Sequence, residues 1–263
     1  ESVIDEVALR IGMDPIEFRL KNAAREGTRA PYGPKLGPIG LVQTLEAARA
    51  HAHYRAPLKA NQGRGVASGF WFNIGGETCA AMNLGEDGSV AIVIGTPDIG
   101  GSRASLCMMA AEELGIPLQQ VSAINGDTSS LGFNFLTGGS RVTYSSGIAV
   151  VQAARDVIRQ LRERAAKIWE VSVEEVEWVE GHARLSAKGK TFSLAELART
   201  TGKTGGPIIG NAAINATGAG PSLATHLVDV EVDPETGKVT ILRYTAIQDA
   251  GKAVHPSYVE GQM

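Results

Sequence analysis

The stretch Val90-Ala-Ile-Val-Ile94 followed by Gly95-Thr-Pro-Asp-Ile-Gly-Gly-Ser102 decides the fold of this chain. The apolar run predicts a buried strand, and the glycine-rich turn leads into a helical pattern over 102–115. A second glycine loop, Leu136-Thr-Gly-Gly-Ser-Arg141, opens another helix further along. Glycine lets backbone approach a ligand closely, and a helix start presents free N–H groups and a positive dipole end to anions. Two such loops favour a phosphate-bearing ligand held from two sides.

The remaining pattern predicts an α+β fold with a mixed β-sheet, hairpins and packed helices. Asp87-Gly88 is typical of a tight turn between two strands, which predicts a hairpin over 77–95. A second hairpin is predicted over 223–249, in the same sheet. Between them, the Gly-, Ala- and Asn-rich stretch 204–221 is expected to be a long loop.

Two regions are predicted from the change of pattern. Residues 1–62 form a helical N-terminal segment and linker, in which Asp14 caps a helix that begins at Pro15. Residues 63–263 form one α+β domain, truncated at its C-terminal end. Both ends of the chain look cut, which predicts a fragment of a longer polypeptide whose first segment packs loosely.

Composition excludes several classes of protein. A net charge of −3 gives no basic surface for nucleic acid, and no apolar run approaches the roughly 20 residues of a membrane span. Cys79 and Cys107 lie far apart without a CxxC pair, so no cysteine-ligated zinc or iron–sulfur cluster is expected. The histidines lack metal-ligand spacing. These features favour a cytoplasmic protein with free thiols and no metal ligands of its own.

Alternatives to a cofactor site remain open at this stage. Gly95-x4-Gly100-Gly-Ser102 is similar to a nucleotide-binding P-loop, but Gly101 stands where the phosphate-binding lysine belongs, so nucleotide binding is a remote alternative. Each glycine loop could also be a tight turn that lets a helix pack on its sheet. In that case Asp98 caps the 102–115 helix or holds its own loop.

Four segments together resemble the molybdopterin-binding subunit of the xanthine dehydrogenase, aldehyde oxidase and carbon monoxide dehydrogenase family. They are Glu1–Glu6 with Gly12–Asn22, Gly95–Ser102 with Ala110–Gly115, Thr137–Arg141, and the closing stretch with Asp249-Ala-Gly251, His255-Pro256 and Glu260-Gly-Gln262. They span nearly the whole chain in the family's order. The resemblance implies a molybdenum-cofactor-binding type of α+β domain.

The resemblance also implies the ligand and its contacts. The cofactor would be molybdopterin or its cytosine dinucleotide. The residues matched to its binding loops are Asp98, Ile99, Gly100, Gly101, Ser102, Thr137, Gly138, Gly139, Ser140, Arg141 and Gln262. The two loops should face one shared cleft, and replacing Gly139 with Val should block cofactor loading by sterics while leaving the distant hairpins folded.

The chemistry implied by the family is oxidative hydroxylation of aldehydes, N-heteroaromatics or a related small substrate. A glutamate base, expected beyond Met263, takes a proton from a molybdenum-bound hydroxide, and Fe–S and FAD subunits or domains carry the electrons of an oligomeric enzyme. No catalytic residue is therefore expected within the chain. One departure is clear, because the family's glutamine between two glycines is missing where Gly100 and Gly101 are adjacent. A non-catalytic domain of the same fold, which has lost the metal site, stays open as the alternative.

A first prediction concerns the 263-residue chain on its own. We expect it to turn over no aldehyde or N-heterocycle, because binding loops cannot replace a positioned proton acceptor. An assay of the purified chain with both substrate classes tests this, and turnover of either would contradict it.

Overall fold

A computed structural model describes residues 1–72, 74–217 and 221–263. The helices are α1 (Ser2–Arg10), α2 (Pro15–Asn22), α3 (Leu41–Ala50), α4 (Ala52–Arg55), α5 (Ser102–Leu114), α6 (Gly147–Trp169), α7 (Leu194–Ala198), α8 (Thr201–Thr204) and α9 (Pro256–Gln262). The strands are β1 (Gln62–Trp71), β2 (Gly76–Leu84), β3 (Val90–Ile94), β4 (Val121–Asn125), β5 (Glu177–Val179), β6 (His182–Leu185), β7 (Lys190–Ser193), β8 (Ile209–Ala216), β9 (Ser222–Val232) and β10 (Val239–Asp249). No helix among the described residues is long and apolar enough to cross a membrane.

The chain forms two compact units. One comprises Glu1–Asn73 with Gly220–Met263, and the other comprises Ile74–Ala219. The predicted boundary between residues 62 and 63 does not coincide with this division, since the long strands β9 and β10 return to pair beside β1. As a boundary between functional domains it stays a prediction.

The first unit is an antiparallel sheet of order β1-β9-β10 with helices on one face. Strand β9 alternates, and its buried residues Leu223, Thr225, Leu227 and Asp229 share that face. Such period-two alternation is what a sheet with one covered face requires. The covering core consists of Ile16, Leu45, Ala48, Val66 and Leu227.

The N-terminal helices are joined to this unit by specific contacts, although α1 itself buries only Ala8, and the expectation of loose packing stays a prediction. As predicted, the Asp14 carboxylate caps α2, accepting from the backbone N–H groups of Ile16 and Glu17. The buried Arg19 guanidinium on the same helix donates to the Asp5 carboxylate at 2.6 Å and to the Val66 carbonyl at 2.8 Å. One side chain thereby joins α1, α2 and β1.

A buried carboxylate, Asp229, anchors the opposite end of the same face. It is 0% exposed and accepts from Arg64 at 2.7 and 2.9 Å. Arg243 Nε lies 3.1 Å from its second oxygen, and His53 Nε2 lies 3.1 Å from its first. The Arg64 guanidinium holds the pKa of Asp229 below its usual range, against the opposing effect of burial.

The second unit contains a four-stranded mixed sheet of order β4-β3-β2-β8, in which only β3 and β4 are parallel. Helix α6 packs along β2 and β8, and α5 packs on α6 and β4. A small sheet of order β5-β6-β7 completes the unit. The predicted α+β class with a mixed sheet is confirmed.

Two details of the prediction are wrong. The 77–95 and 223–249 hairpins belong to separate sheets, because β9 pairs with β1 rather than with any strand of the mixed sheet. The predicted 204–221 loop contains strand β8, and its residues 218–220 lie outside the described residues. Tertiary contacts stabilise this strand, because it pairs with β2 and its backbone also bonds to side chains of α6. The Asp156 carboxylate accepts from Asn211 N. The Gln160 side-chain amide donates to Ile209 O.

Asp229 generates a prediction about stability. Asp229 is fully buried and Arg64 is half-buried, so replacing Asp229 by Asn breaks a largely buried ion pair, which costs about 3–5 kcal/mol. Denaturant unfolding at neutral pH should show that loss, whereas Glu235→Gln in an exposed turn should change the free energy of unfolding by less than about 0.5 kcal/mol.

The same variant should change the acid response. Because the pKa of Asp229 is lower in the folded state, its stabilisation is fully present above the unfolded pKa of about 3.9 and is lost as the pH falls through the folded value. The wild type should therefore lose stability below about pH 4 more steeply than Asp229→Asn. Parallel pH dependences would show that the cluster does not act through this carboxylate.

Candidate cofactor-binding site

The first glycine loop connects β3 to α5 in the second unit. Gly100 and Gly101 have φ of 62° and 74°, the left-handed region that side chains rarely adopt. Neither N–H group donates to an acceptor in the part of the chain that the structure describes. The N–H of Ser102 is used within the loop, since it donates to the Ile99 carbonyl at 3.3 Å. Two free donors therefore precede the start of α5.

Asp98 closes this loop from within. Its carboxylate accepts from Arg103 N at 3.0 Å, from Arg103 Nε at 2.9 Å and from Ser102 Oγ at 3.4 Å. The backbone bond from Arg103 is the main reason that the pKa of Asp98 is lowered. Asp98 thus binds the first turn of α5, whose N-cap residue is Gly101, and a contact of Asp98 with the cofactor stays a prediction. Ile99 beside it is 62% exposed.

The second glycine loop precedes a π-helical turn, Val142–Ser146, that runs into α6. Gly139 and Ser140 have φ of 67° and 59°. Among the described residues, no acceptor receives the N–H groups of Gly138, Gly139 or Ser140. Consecutive unused N–H groups of this kind form an anion-binding concavity in many proteins.

The two loops meet at their bases. Thr96 Oγ1 and Thr137 Oγ1 lie 3.0 Å apart and share a hydrogen bond, and Thr96 is buried. Gly95 separates Thr96 from the end of β3, and Thr137 opens the second loop. No motif in the sequence selects Thr96, because a single threonine after a strand is common. One hydroxyl pair thus ties together the two groups of free N–H donors, while a shared cleft stays a prediction.

Arg141 is placed beneath the second loop rather than in front of it. It is 1% exposed, and its guanidinium donates to the carbonyls of Gly75, Gly76, Glu77, Phe135 and Leu136 and to Thr78 Oγ1. Every nitrogen of the group is engaged with protein. A direct bond from Arg141 to a ligand stays a prediction, and its observed role is to fasten the segments that carry the loop.

Two hydroxyls that sequence reasoning missed lie in the π-helical turn. Ser145 and Ser146 are 0% and 1% exposed, and neither hydroxyl has a hydrogen-bond partner among the described residues. A π-turn at the start of a helix is frequent at functional sites. Its only sequence signal is the polar run Thr143-Tyr-Ser-Ser146 at the start of an otherwise amphipathic helix.

Free backbone N–H groups fit a phosphorylated pterin, which offers phosphate and carbonyl oxygens as acceptors. The described residues contain no group of three or more His, Cys, Asp or Glu that could hold a metal ion. The donors therefore suit the organic part of such a cofactor. The remaining predicted contact, Gln262, is exposed at the end of α9 in the first unit, and its approach to the ligand stays a prediction.

Comparison with known proteins decides what kind of ligand this is. The family model for the molybdopterin cofactor-binding domain matches residues 42–263. The chain belongs to this family. It is a molybdopterin-binding domain of the molybdenum hydroxylases, and the resemblance found in the sequence is confirmed.

Two curated relatives come from Escherichia coli (strain K12). The putative xanthine dehydrogenase molybdenum-binding subunit XdhA is 30% identical over 100% of this chain and 38% of its own length. The aldehyde oxidoreductase molybdenum-binding subunit PaoC is 28% identical over 100% of this chain and 36% of its own length. The chain thus spans little more than a third of the relatives that it matches.

The fold is likewise found in solved structures. A crystal structure of the Cu,Mo-CO dehydrogenase in its carbon monoxide reduced state superposes with a TM-score of 0.87 at 23% identity, covering 100% of this chain and 38% of that one. At 23% sequence identity, this structural similarity establishes the fold and not the function.

The geometry of Gly139 corrects the expected effect of a valine there. A Cβ at this residue would clash with Cδ1 of Ile74, so a larger side chain would disturb the protein itself and not only a ligand. We expect Gly139→Ala to lower the free energy of unfolding by about 1–2 kcal/mol through its left-handed φ alone, and by more through the clash.

A double-mutant cycle with Ile74→Ala separates these two causes. Removing the Ile74 side chain should relieve the clash but not the backbone strain, so the double variant should be more stable than the sum of the single effects by at least about 0.5 kcal/mol. Strictly additive losses in denaturant unfolding would show that Ile74 does not restrict this position.

Proposed function

We propose that the chain forms the part of a molybdenum hydroxylase subunit that holds molybdopterin between its two glycine loops. The observation that carries the proposal is the Thr96–Thr137 hydrogen bond, which joins the bases of two loops whose glycine N–H groups are unused within the described chain. Family membership supplies the ligand, and the loops supply the donors that it needs.

Within this proposal the residues have distinct tasks. The N–H groups of Gly100 and Gly101 and those of Gly138, Gly139 and Ser140 donate to phosphate and pterin oxygens, because glycine leaves the backbone accessible. Asp98 does not compete as a negative charge facing the ligand, since Arg103 binds its carboxylate. When bound, the cofactor supplies the molybdenum at which the substrate is oxidised.

The form of the cofactor belongs to the proposal as well. Within the described residues, five N–H groups in two clusters have no acceptor and can serve a terminal phosphate or the longer diphosphate of a cytosine dinucleotide. We favour the dinucleotide because both loops are then used. The prediction that Gln262 donates its side-chain amide to the cofactor is kept as part of this proposal. None of these residues is a free base, so we assign no catalytic residue to the described chain.

The activity of the whole protein is proposed from its relatives. Their names include an aldehyde oxidoreductase molybdenum-binding subunit, a nicotine 6-hydroxylase large subunit and a carbon monoxide dehydrogenase large chain. We infer oxidation of a small aldehyde, N-heteroaromatic or related molecule in the cytoplasm, by an oligomer with Fe–S and FAD subunits or domains.

One observation favours a second candidate, a domain that keeps the pterin site but not the metal. The first loop presents adjacent glycines, Gly100 and Gly101, and no glutamine side chain between them. Such a loop still offers backbone donors. It offers no side-chain amide for a group near molybdenum.

Gly138 provides a cleaner test of loading than Gly139. Gly138 lacks a left-handed φ, and a Cβ there would meet only the tip of the exposed Leu136 side chain, at 2.7 Å. Gly138→Val should therefore fold but obstruct approach to the loop donors. We expect its molybdenum and pterin content to fall at least about tenfold, which corresponds to about 1.4 kcal/mol of binding free energy.

Gly202→Val is the matched control, because a Cβ at Gly202 meets nothing within 4 Å. Both variants belong in the full-length protein, with molybdenum measured by elemental analysis, pterin by fluorescence after oxidation, and folding by the thermal unfolding midpoint. Normal loading of Gly138→Val contradicts the placement in this loop. A wild type that contains pterin without molybdenum favours the second candidate, and one that contains neither contradicts the function.

A further inference from the structure

The buried guanidinium of Arg141 lacks a negatively charged partner. It forms no ion pair with any carboxylate among the described residues, and its contacts are five carbonyl oxygens and one hydroxyl. Glu77 is the acidic residue whose charge acts on it, and Glu77 is exposed. Arginine stays protonated in proteins, so this position carries a full buried positive charge.

Such a charge is unusual, because buried ions are normally paired or coordinate a partner of opposite sign. Burial accordingly lowers the pKa of Arg141. Carbonyl dipoles stabilise the cation but leave its net charge uncancelled. The charge lies directly under the second loop, since Phe135 and Leu136, at 3.0 and 3.3 Å, immediately precede Thr137.

The same bonds fix the direction of the peptide groups. In a trans peptide the C=O of one residue and the N–H of the next point in opposite directions. The Leu136 carbonyl turns inward to Arg141, so the N–H of Thr137 turns away from the guanidinium. That N–H has no acceptor in the described part of the chain, which places another free donor at the start of the loop.

We propose that Arg141 is the buried counter-charge of the anionic part of the cofactor, a phosphate or diphosphate, which it attracts through the loop without touching it. The inference rests on the proposed function of the loop. Arg141 is then a positioning residue with two effects: it turns peptide N–H groups outward, and its charge strengthens the attraction of those donors for an anion. In a site of low dielectric constant, a single charge close to a bound anion changes the affinity for that anion by about tenfold or more.

A purely mechanical clamp is the competing interpretation, and charge-matched variants distinguish the two. Arg141→Lys keeps the charge and loses most of the hydrogen bonds, whereas Arg141→Gln loses both. In the full-length protein freed of cofactor, we expect Arg141→Gln to bind inorganic pyrophosphate at least about tenfold more weakly than Arg141→Lys, with a smaller dependence on salt concentration. Calorimetric titration at two ionic strengths gives both quantities.

Glu77 offers a variant that leaves every bond of Arg141 in place, because only its carbonyl accepts from the guanidinium. Glu77→Gln removes the opposing charge and should tighten pyrophosphate binding by about twofold to fivefold at low salt. Glu86→Gln makes the same change in an exposed turn at the far end of β2 and should leave affinity as it is. This pair remains decisive if the Arg141 variants do not fold.

The results of these titrations distinguish a failure of the counter-charge proposal from a failure of the proposed function. Equal affinities and equal salt dependence for Arg141→Lys and Arg141→Gln, or equal behaviour of the Glu77 and Glu86 variants, would overturn the counter-charge. A wild-type protein that binds neither pyrophosphate nor pterin would instead overturn the proposed function. A pterin assay of the protein as purified distinguishes these two failures.

Discussion

The second unit depends on one buried cation. The Arg141 guanidinium gathers the carbonyls that precede the second glycine loop and those at the start of β2, two segments that are far apart in the sequence. A planar guanidinium with five N–H donors can satisfy more carbonyls at once than an ammonium, which has three. These carbonyls face inward, and the N–H groups of the loop beyond them have no acceptor among the residues that the structure describes. The support of the loop and its capacity to bind an anion thus have a common origin.

The first unit also contains a buried charged group, but there the charge is negative. There the central charge is the carboxylate of Asp229, and it is fully compensated by Arg64 and Arg243. A compensated cluster of this kind stabilises the packing of strands against helices and calls for no ligand. Arg141 differs from the other buried charged groups of the described chain, because it has no partner of opposite charge.

Glycine has two different roles in the loops, and only one of them concerns a ligand. Gly139 is required by the protein itself, since its φ is left-handed and Ile74 occupies the space where a side chain would lie. Gly138 is under weaker restriction from the fold. The motif alone therefore does not show what each glycine of such a loop does. At one position glycine is needed for the backbone conformation, and at the next it leaves room for a ligand to approach.

The amino-acid sequence by itself determined the strand–loop–helix order around 90–115, the second loop with its helix, the α+β class and the family. These features depend on local periodicity, turn residues and motifs, which are readable along the chain. Tertiary structure alone decided the rest. Ile209–Ala216 is a strand because β2 and α6 bind its backbone, although its composition is that of a loop. The two long hairpins lie in separate sheets because β9 pairs with β1. Arg141 is buried and donates to carbonyls of distant segments, and no local pattern shows which carbonyls a guanidinium will meet after folding.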